Sequence, residues 1–175
     1  MASKLDVAAN AATLLAAFAI LTTIAVRSRP ALGPAGVQEF RTGDRLPSFV
    51  GLDLGRARKT LLLVVRHDCV YCAASMPFYR RLPNGGIRRG SEILDRQLIA
   101  ITLDDLPTAR RYADTNRLPV DAVIAVPPRR RQDLKVNATP TVLLVDSGGV
   151  ISKIWHGKLD PSKEAEVIAA FGSAP

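Results

Sequence analysis

The chain has 175 residues, which is enough for one folded domain and a short appendage, and 47% of them are hydrophobic. Charged residues make up 23% of the chain, so a largely disordered protein is excluded. The net charge of +8 would suit an anionic partner, but only 5% of residues are aromatic and the arginines are scattered in short clusters. We therefore expect a basic surface beside a membrane and no binding of nucleic acid.

The first element in chain order is an uncharged, alanine-rich run of 20 residues, 7–26. At a rise of about 1.5 Å per residue, a helix of this length spans roughly the 30 Å of a bilayer's hydrocarbon core. The next residues are basic, whereas a cleavable signal carries small residues there, and the run lacks the polar stripe of a core helix. We predict a single-pass membrane anchor over residues 1–29, a Pro/Gly/Ala linker over residues 30–39 and a folded domain over residues 40–175.

Short apolar runs and helical patterns alternate along the predicted domain, and a hairpin closes it. Asp160 and Pro161 have the residue types of an N-cap and a first helical position, so the last helix is expected to begin there. This alternation predicts an α/β sheet with helices on both faces. The predicted strands are 47–54, 60–66, 97–103, 120–126, 141–146 and 150–155, and the predicted helices are 70–82, 107–117 and 161–171.

The chain has two cysteines, Cys69 and Cys72, and they lie where a predicted strand ends and a predicted helix begins. A disulfide scaffold would spread its cysteines along the chain, so the pair is either a redox pair or half of a metal site. A helix N-terminus presents unpaired N–H groups and a partial positive charge, which stabilise a thiolate and lower the pKa of the thiol. We predict that Cys69 is the attacking thiol and that Cys72, one turn later, is the resolving thiol.

The surroundings of this pair resemble a known family. Leu62–Leu82 (LLVVRHDCVYCAASMPFYRRL) is similar to the active-site strand and helix of thioredoxin-like proteins, with Pro77 at the position of the family's helix-kinking proline. Ala138–Thr141 is similar to the family's cis-proline loop, and Gly43–Phe49 resembles the opening segment of the membrane-anchored TlpA/ResA-type subgroup. The resemblance covers residues 40–172 and implies a thioredoxin-like fold, a central mixed sheet flanked by helices, with protein-disulfide oxidoreductase activity and no cofactor.

The resemblance also implies a substrate-binding role for the loop before the predicted strand 141–146. The Thr139–Pro140 bond would be cis, Pro140 would face Cys69, and the backbone of Thr139 would offer hydrogen bonds to an extended substrate peptide. An X–Pro bond without that resemblance has only a low expectation of being cis.

The residues around the cysteines depart from the family pattern. Many members have Trp where this chain has Asp68; an adjacent carboxylate raises the pKa of a thiol, whereas a protonated His67 would lower it. We assign a redox-tuning role to His67 and Asp68 and to the intervening Val70 and Tyr71. Leu63 stands where thioredoxins proper keep a buried carboxylate that assists the resolving thiol, so proton transfer must use another group.

An anchored single domain fits a dedicated reductant of envelope proteins, supplied with electrons by a thiol/disulfide partner. Disulfide substrates are abundant in the periplasm and rare in the cytosol, so we expect the bacterial inner membrane with the domain facing the periplasm or cell exterior. The charges flanking the anchor do not decide its orientation.

Four other functions remain open from the sequence. A disulfide oxidase or isomerase would use the same two cysteines in the other direction. A thiol peroxidase would need Thr or Ser where Arg66 stands. A closed zinc site needs four ligands, and beyond the cysteines the chain offers only His67 and His156. A copper carrier needs fewer ligands, although we predict no metal, and a partner-binding module would need no catalysis.

Overall fold

The computed structural model describes residues 39–83 and 93–172, and their strands form one mixed sheet in the order β3-β2-β1-β4-β5. The central strand β1 runs parallel to β2, and β2 runs parallel to β3. The other two strands, β4 and β5, form the predicted hairpin, and β4 lies antiparallel to β1. The strands are β1 (Ala57–Val65), β2 (Leu94–Thr102), β3 (Ala122–Ala125), β4 (Thr141–Asp146) and β5 (Ile151–His156).

The described helices are short, and the sequence explains where two of them begin. Asp105 accepts a hydrogen bond from the N–H of Thr108 at 2.9 Å, which caps the third helix. Asp160 accepts from the N–H groups of Ser162 and Lys163 at 2.9 and 3.0 Å, so the expected cap of the last helix is confirmed. The α-helices are α1 (Val70–Ala74), α2 (Met76–Tyr79), α3 (Leu106–Thr115) and α4 (Pro161–Gly172), and Leu54–Arg56 and Pro128–Leu134 are 3₁₀ helices.

The two faces of the sheet are covered differently. Alternate residues of β1 point to opposite faces, so Leu61 and Leu63 pack in one buried cluster and Leu62 and Val64 pack in another. The first cluster includes side chains from all four α-helices. The second is closed by Phe40, Leu46 and Phe49 of the leading segment and by Leu134 of a 3₁₀ helix. The sequence predicted helices on both faces, but the second face is covered by the segment before β1 and a 3₁₀ helix.

Two predictions about single elements were wrong. Residues 47–54 form no strand. The residues before them form an isolated bridge between Arg45 and Val150, and the chain then turns at Gly51, whose φ is +86°. The predicted helix 70–82 is divided at Ser75 and ends at Tyr79. Pro77 has no N–H to donate to the carbonyl four residues before it, so a continuous α-helix cannot pass through this point.

The predicted anchor, residues 1–29, and nearly all of the predicted linker lie outside the described residues. Within residues 39–83 and 93–172, no helix is long and apolar enough to cross a bilayer.

Candidate redox site

Cys69 and Cys72 form a disulfide at the junction between β1 and α1, with their Cα atoms 5.1 Å apart. Cys69 is the N-cap of α1, and its Sγ accepts a hydrogen bond from the backbone N–H of Cys72 at 3.1 Å. Cys69 is partly exposed, whereas Cys72 is completely buried in the helix-covered cluster. Of the two cysteines, Cys69 is therefore the one that another protein can reach.

The loop around Thr139 and Pro140 lies next to this pair, although Thr139 follows Cys69 by 70 residues in the sequence. The Thr139–Pro140 bond is cis, as the resemblance implied. The atom next to the cysteines is the Thr139 carbonyl oxygen, 3.3 Å from Cys69 Sγ, while Pro140 is buried. The hydroxyl of Thr141 donates to the Ala138 carbonyl at 2.9 Å, and the Gly157 N–H donates to the Pro140 carbonyl at 2.8 Å. The loop is thus fixed to both β4 and the end of β5.

The turn from β1 to Cys69 contains exposed charged residues. Arg66 and Asp68 form an ion pair at 2.7 Å across this turn. The backbone N–H of His67 donates to Asp104 Oδ2 at 2.9 Å, and its Nδ1 lies 3.0 Å from Asp104 Oδ1. His67 and Asp68 therefore lie beside the redox pair, each held by a charged partner.

The sequence reasoning missed Asp104. It follows the end of β2, and Thr102 at that end is paired in register with Val65, the last residue of β1. Because the carboxyl ends of neighbouring parallel strands meet, an acidic residue just after one strand lies close to the turn that follows the other. Two buried apolar runs, each followed by polar residues, are the signal that could have found it.

Asp104 is a carboxylate at neutral pH although its side chain is only 10% exposed. Burial raises its pKa, but hydrogen bonds from the backbone and side chain of His67 and from the hydroxyl of Thr102 outweigh burial, so its pKa is below the ordinary value. The Thr102 hydroxyl donates to Asp104 Oδ2 at 3.0 Å and accepts from the Asp104 N–H at 3.0 Å. The carboxylate is therefore fixed to β2 as well as to the turn.

The two residues between the cysteines are exposed and apolar. Val70 is 78% exposed and Tyr71 is 63% exposed, which is unusual for large apolar side chains in this domain. They border the accessible sulfur of Cys69 and offer a contact surface to another chain.

No charged side chain is buried beside the resolving cysteine within the described residues. Leu63 is completely buried in the same cluster as Cys72, and the buried polar residues of this part of the chain are Thr60, Ser75, Gln97, Thr102 and Thr141. Tyr79 also belongs to this cluster; burial raises its pKa, so it stays a neutral phenol. In the part of the chain that the structure describes, no buried carboxylate therefore replaces the one that is missing at Leu63.

Among the described residues, the side chains that could hold a metal ion together are those of His67, Asp68 and Asp104, whose ligand atoms lie within 4.8 Å of one another. Two of these residues, His67 and Asp104, already contact each other as described above. The other histidine, His156, lies with Nδ1 3.4 Å from the hydroxyl of Thr141 at the sheet end of the Thr139 loop.

No family model matches the sequence, and no curated protein matches it. Similar solved structures do exist. The thioredoxin domain of a thiol-disulfide oxidoreductase from Bacteroides vulgatus superposes with a TM-score of 0.55 at 15% identity, covering 77% of this chain and 100% of that chain.

A thiol:disulfide interchange protein from a Bacteroides species gives a TM-score of 0.55 at 15% identity, covering 77% of this chain and 93% of that one. A protein described as thiol:disulfide interchange protein DsbE, from Chlorobium tepidum, gives 0.53 at 19% identity and covers 77% of this chain and 100% of that chain. At such identities the likeness concerns the fold. The thioredoxin-like fold predicted for the domain is thereby confirmed, with its two cysteines at the start of the helix that follows the central strand.

Proposed function

We propose that this protein is a thiol–disulfide oxidoreductase that reduces disulfides in envelope proteins through Cys69 and Cys72. The observation that carries the proposal is the asymmetry of the pair. One sulfur is accessible at a helix N-terminus and accepts an N–H bond, and the other is buried directly behind it. This arrangement suits one attacking and one resolving thiol.

The reaction follows from these positions. In the dithiol form, the Cys69 thiolate attacks one sulfur of a substrate disulfide, and the other substrate sulfur leaves as a thiolate. The proton of Cys72 is taken up by the substrate thiolate that has left, and Cys72 then attacks the Cys69 sulfur of the mixed disulfide, which releases the second substrate thiolate. The substrate gains two electrons, and the protein ends with a Cys69–Cys72 disulfide, which a thiol/disulfide electron-transfer partner must reduce again.

The surface around Cys69 supports a protein substrate. The Thr139 backbone lies beside the reactive sulfur and can pair with an extended peptide, while Val70 and Tyr71 present apolar area next to it. A substrate cysteine in an extended segment would reach Cys69 between these two surfaces.

The compartment is part of the same proposal. We infer that residues 1–29 anchor the protein in the bacterial inner membrane, with the redox domain on the periplasmic side, where disulfide substrates are abundant. A reporter fused after Pro175 tests this: activity of a reporter that works only in the periplasm is expected, and activity of one that works only in the cytoplasm would contradict it.

A trapping experiment tests the chemistry. Cys72→Ser should accumulate a mixed disulfide between Cys69 and its substrate, because no resolving thiol remains. Cys69→Ser is the matched control and should trap nothing, because the remaining thiol is buried. Equal trapping by both variants, or by neither, would overturn the proposal.

The direction of electron flow is decided by the reduction potential of the pair. Titration against glutathione should give a value near thioredoxin's roughly −270 mV for a reductant, whereas about −120 mV would identify an oxidase. The oxidase would use the same residues in the reverse order.

A further inference from the structure

We propose that Asp104 is a positioning residue of the redox site, which holds the turn before Cys69 and thereby favours the dithiol form. This inference rests on the proposed thiol–disulfide chemistry and adds to it a residue outside the cysteine helix and the Thr139 loop. It starts from one carboxylate that is bonded to two different groups of His67.

The contacts of Asp104 join the ends of two strands. One oxygen accepts from the backbone N–H of His67 and from the hydroxyl of Thr102, and the other lies 3.0 Å from the imidazole Nδ1 of His67. Because Thr102 ends β2 and His67 lies two residues before Cys69, the carboxylate links the neighbouring strand to the turn that carries the reactive sulfur.

The same contacts orient the imidazole of His67. A carboxylate beside Nδ1 selects the form of the ring with a proton on that nitrogen, so the other nitrogen points away from Asp104. The ring is half exposed and the carboxylate is nearly buried, so the fixed partner is Asp104 and the positioned partner is His67.

The link matters more for one redox state than for the other. In the disulfide form, the bond to Cys72 itself holds Cys69 at the start of α1. In the dithiol form that bond would be gone, and the Cys69 thiolate would depend on the turn that precedes it and on the hydrogen bond from the Cys72 N–H that the disulfide form already has. Loosening the turn should therefore raise the free energy of the dithiol more than that of the disulfide.

The charge of Asp104 acts in the opposite direction. A carboxylate near a thiolate disfavours the thiolate, so removing the charge alone would favour the dithiol form. The direction in which Asp104→Ala shifts the dithiol–disulfide equilibrium thus distinguishes the two effects: loss of positioning favours the disulfide, whereas loss of the charge favours the dithiol.

Asp105 provides the matched control. It carries the same charge one residue later, and its carboxylate bonds to Thr108 in α3 and not to the turn. Asp105→Ala removes one negative charge and the N-cap of α3, and neither of these is among the contacts of His67.

The experiment measures the dithiol–disulfide equilibrium of the full-length protein in mild detergent against glutathione at pH 7. Asp104→Ala should favour the disulfide by about tenfold, the effect of losing one hydrogen bond to a charged group in one state only. Asp105→Ala should stay within about twofold of the wild type. An unchanged Asp104→Ala, an equal shift in both variants, or a shift toward the dithiol would overturn the positioning role.

Two further variants make the outcome independent of folding and of the proposed function. If Asp104→Ala fails to fold, Asp104→Asn replaces it; it keeps one acceptor oxygen and should shift the equilibrium in the same direction by less. His67→Ala keeps the backbone N–H bond and should also give a smaller shift. Failure of the Cys72→Ser trap would refute the oxidoreductase function, whereas the glutathione equilibrium tests Asp104 in either case.

Discussion

The hydroxyl of Thr141 should control the position of the loop that meets Cys69. Thr141 is completely buried at the start of β4, and its Oγ1 donates to the Ala138 carbonyl at 2.9 Å. This bond closes the loop that contains Thr139, whose carbonyl oxygen lies 3.3 Å from Cys69 Sγ. Thr141→Val keeps the shape of the side chain and removes the bond, whereas Thr141→Ser keeps the bond and removes a buried methyl group.

The two substitutions should cost similar stability for different reasons. In Thr141→Val, losing the neutral hydrogen bond costs about 1 kcal/mol and no more, because Ala138 is exposed and its carbonyl can bond to water instead. The added methyl group offsets part of this cost. Losing the buried methyl costs about 0.8 kcal/mol, with a small addition for the cavity. Urea unfolding of the oxidised proteins should therefore place both variants about 1 kcal/mol or less below the wild type.

Activity should separate them. If the hydroxyl positions the Thr139 carbonyl, Thr141→Val should lower kcat/KM for reduction of a disulfide protein by about tenfold, since small displacements at a reacting centre are costly. Thr141→Ser should keep kcat/KM within about twofold of the wild type. Full activity of Thr141→Val, or an equal loss in both variants, would refute this reasoning.

Three further results are expected. Phe171→Ala, which empties a completely buried position of α4, should lower the free energy of unfolding by about 3–5 kcal/mol in urea and leave the glutathione equilibrium unchanged. The pKa of Asp104 is lowered in the folded state, so its contribution to stability is present above the unfolded pKa of about 3.9 and is lost as the pH falls below it. The difference in stability between the wild type and Asp104→Asn should therefore shrink as the pH falls below about 4. Burial raises the pKa of Tyr79, so the folded state favours the neutral phenol and the free energy of unfolding falls as the pH rises above the unfolded pKa of about 10. Tyr79→Phe should remove this loss of stability. The same alkaline fall in stability in Tyr79→Phe and in the wild type would contradict this reasoning.

The sequence predicted those parts of the fold whose signals are local. The apolar runs of β1 and β2 and the hairpin of β4 and β5 lie within a few residues of their predicted bounds. The start of α4 is confirmed because an N-cap and a following proline act on the residues next to them. The cysteine pair was found for the same reason, since strand, cysteines and helix are consecutive.

The errors came from competing local signals or from contacts between distant residues. Residues 47–54 have an apolar pattern, but Pro47 cannot donate to a ladder and Gly51 takes a left-handed turn, so no strand forms. The break at Ser75 lies beside Pro77, where the resemblance placed a helix-kinking proline, whereas the predicted bounds 70–82 followed a helical periodicity that continues past Tyr79. Asp104 was missed because its contact with His67 depends on the register between Val65 and Thr102, which no single segment of sequence contains.

The residues around Cys69 differ in how deeply they are buried, and this difference decides which of them can be substituted without disturbing the fold. Val70 and Tyr71 are mostly exposed, so substitutions there remove little buried area and should alter the surface beside Cys69 at small cost to the fold. Thr141 and Asp104 are mostly buried, and each is bonded to a segment that carries or touches the reactive sulfur. If the proposed function holds, we therefore expect partner choice to vary at the exposed positions between the cysteines and the geometry of the reaction to depend on contacts that reach the pair from β2 and β4.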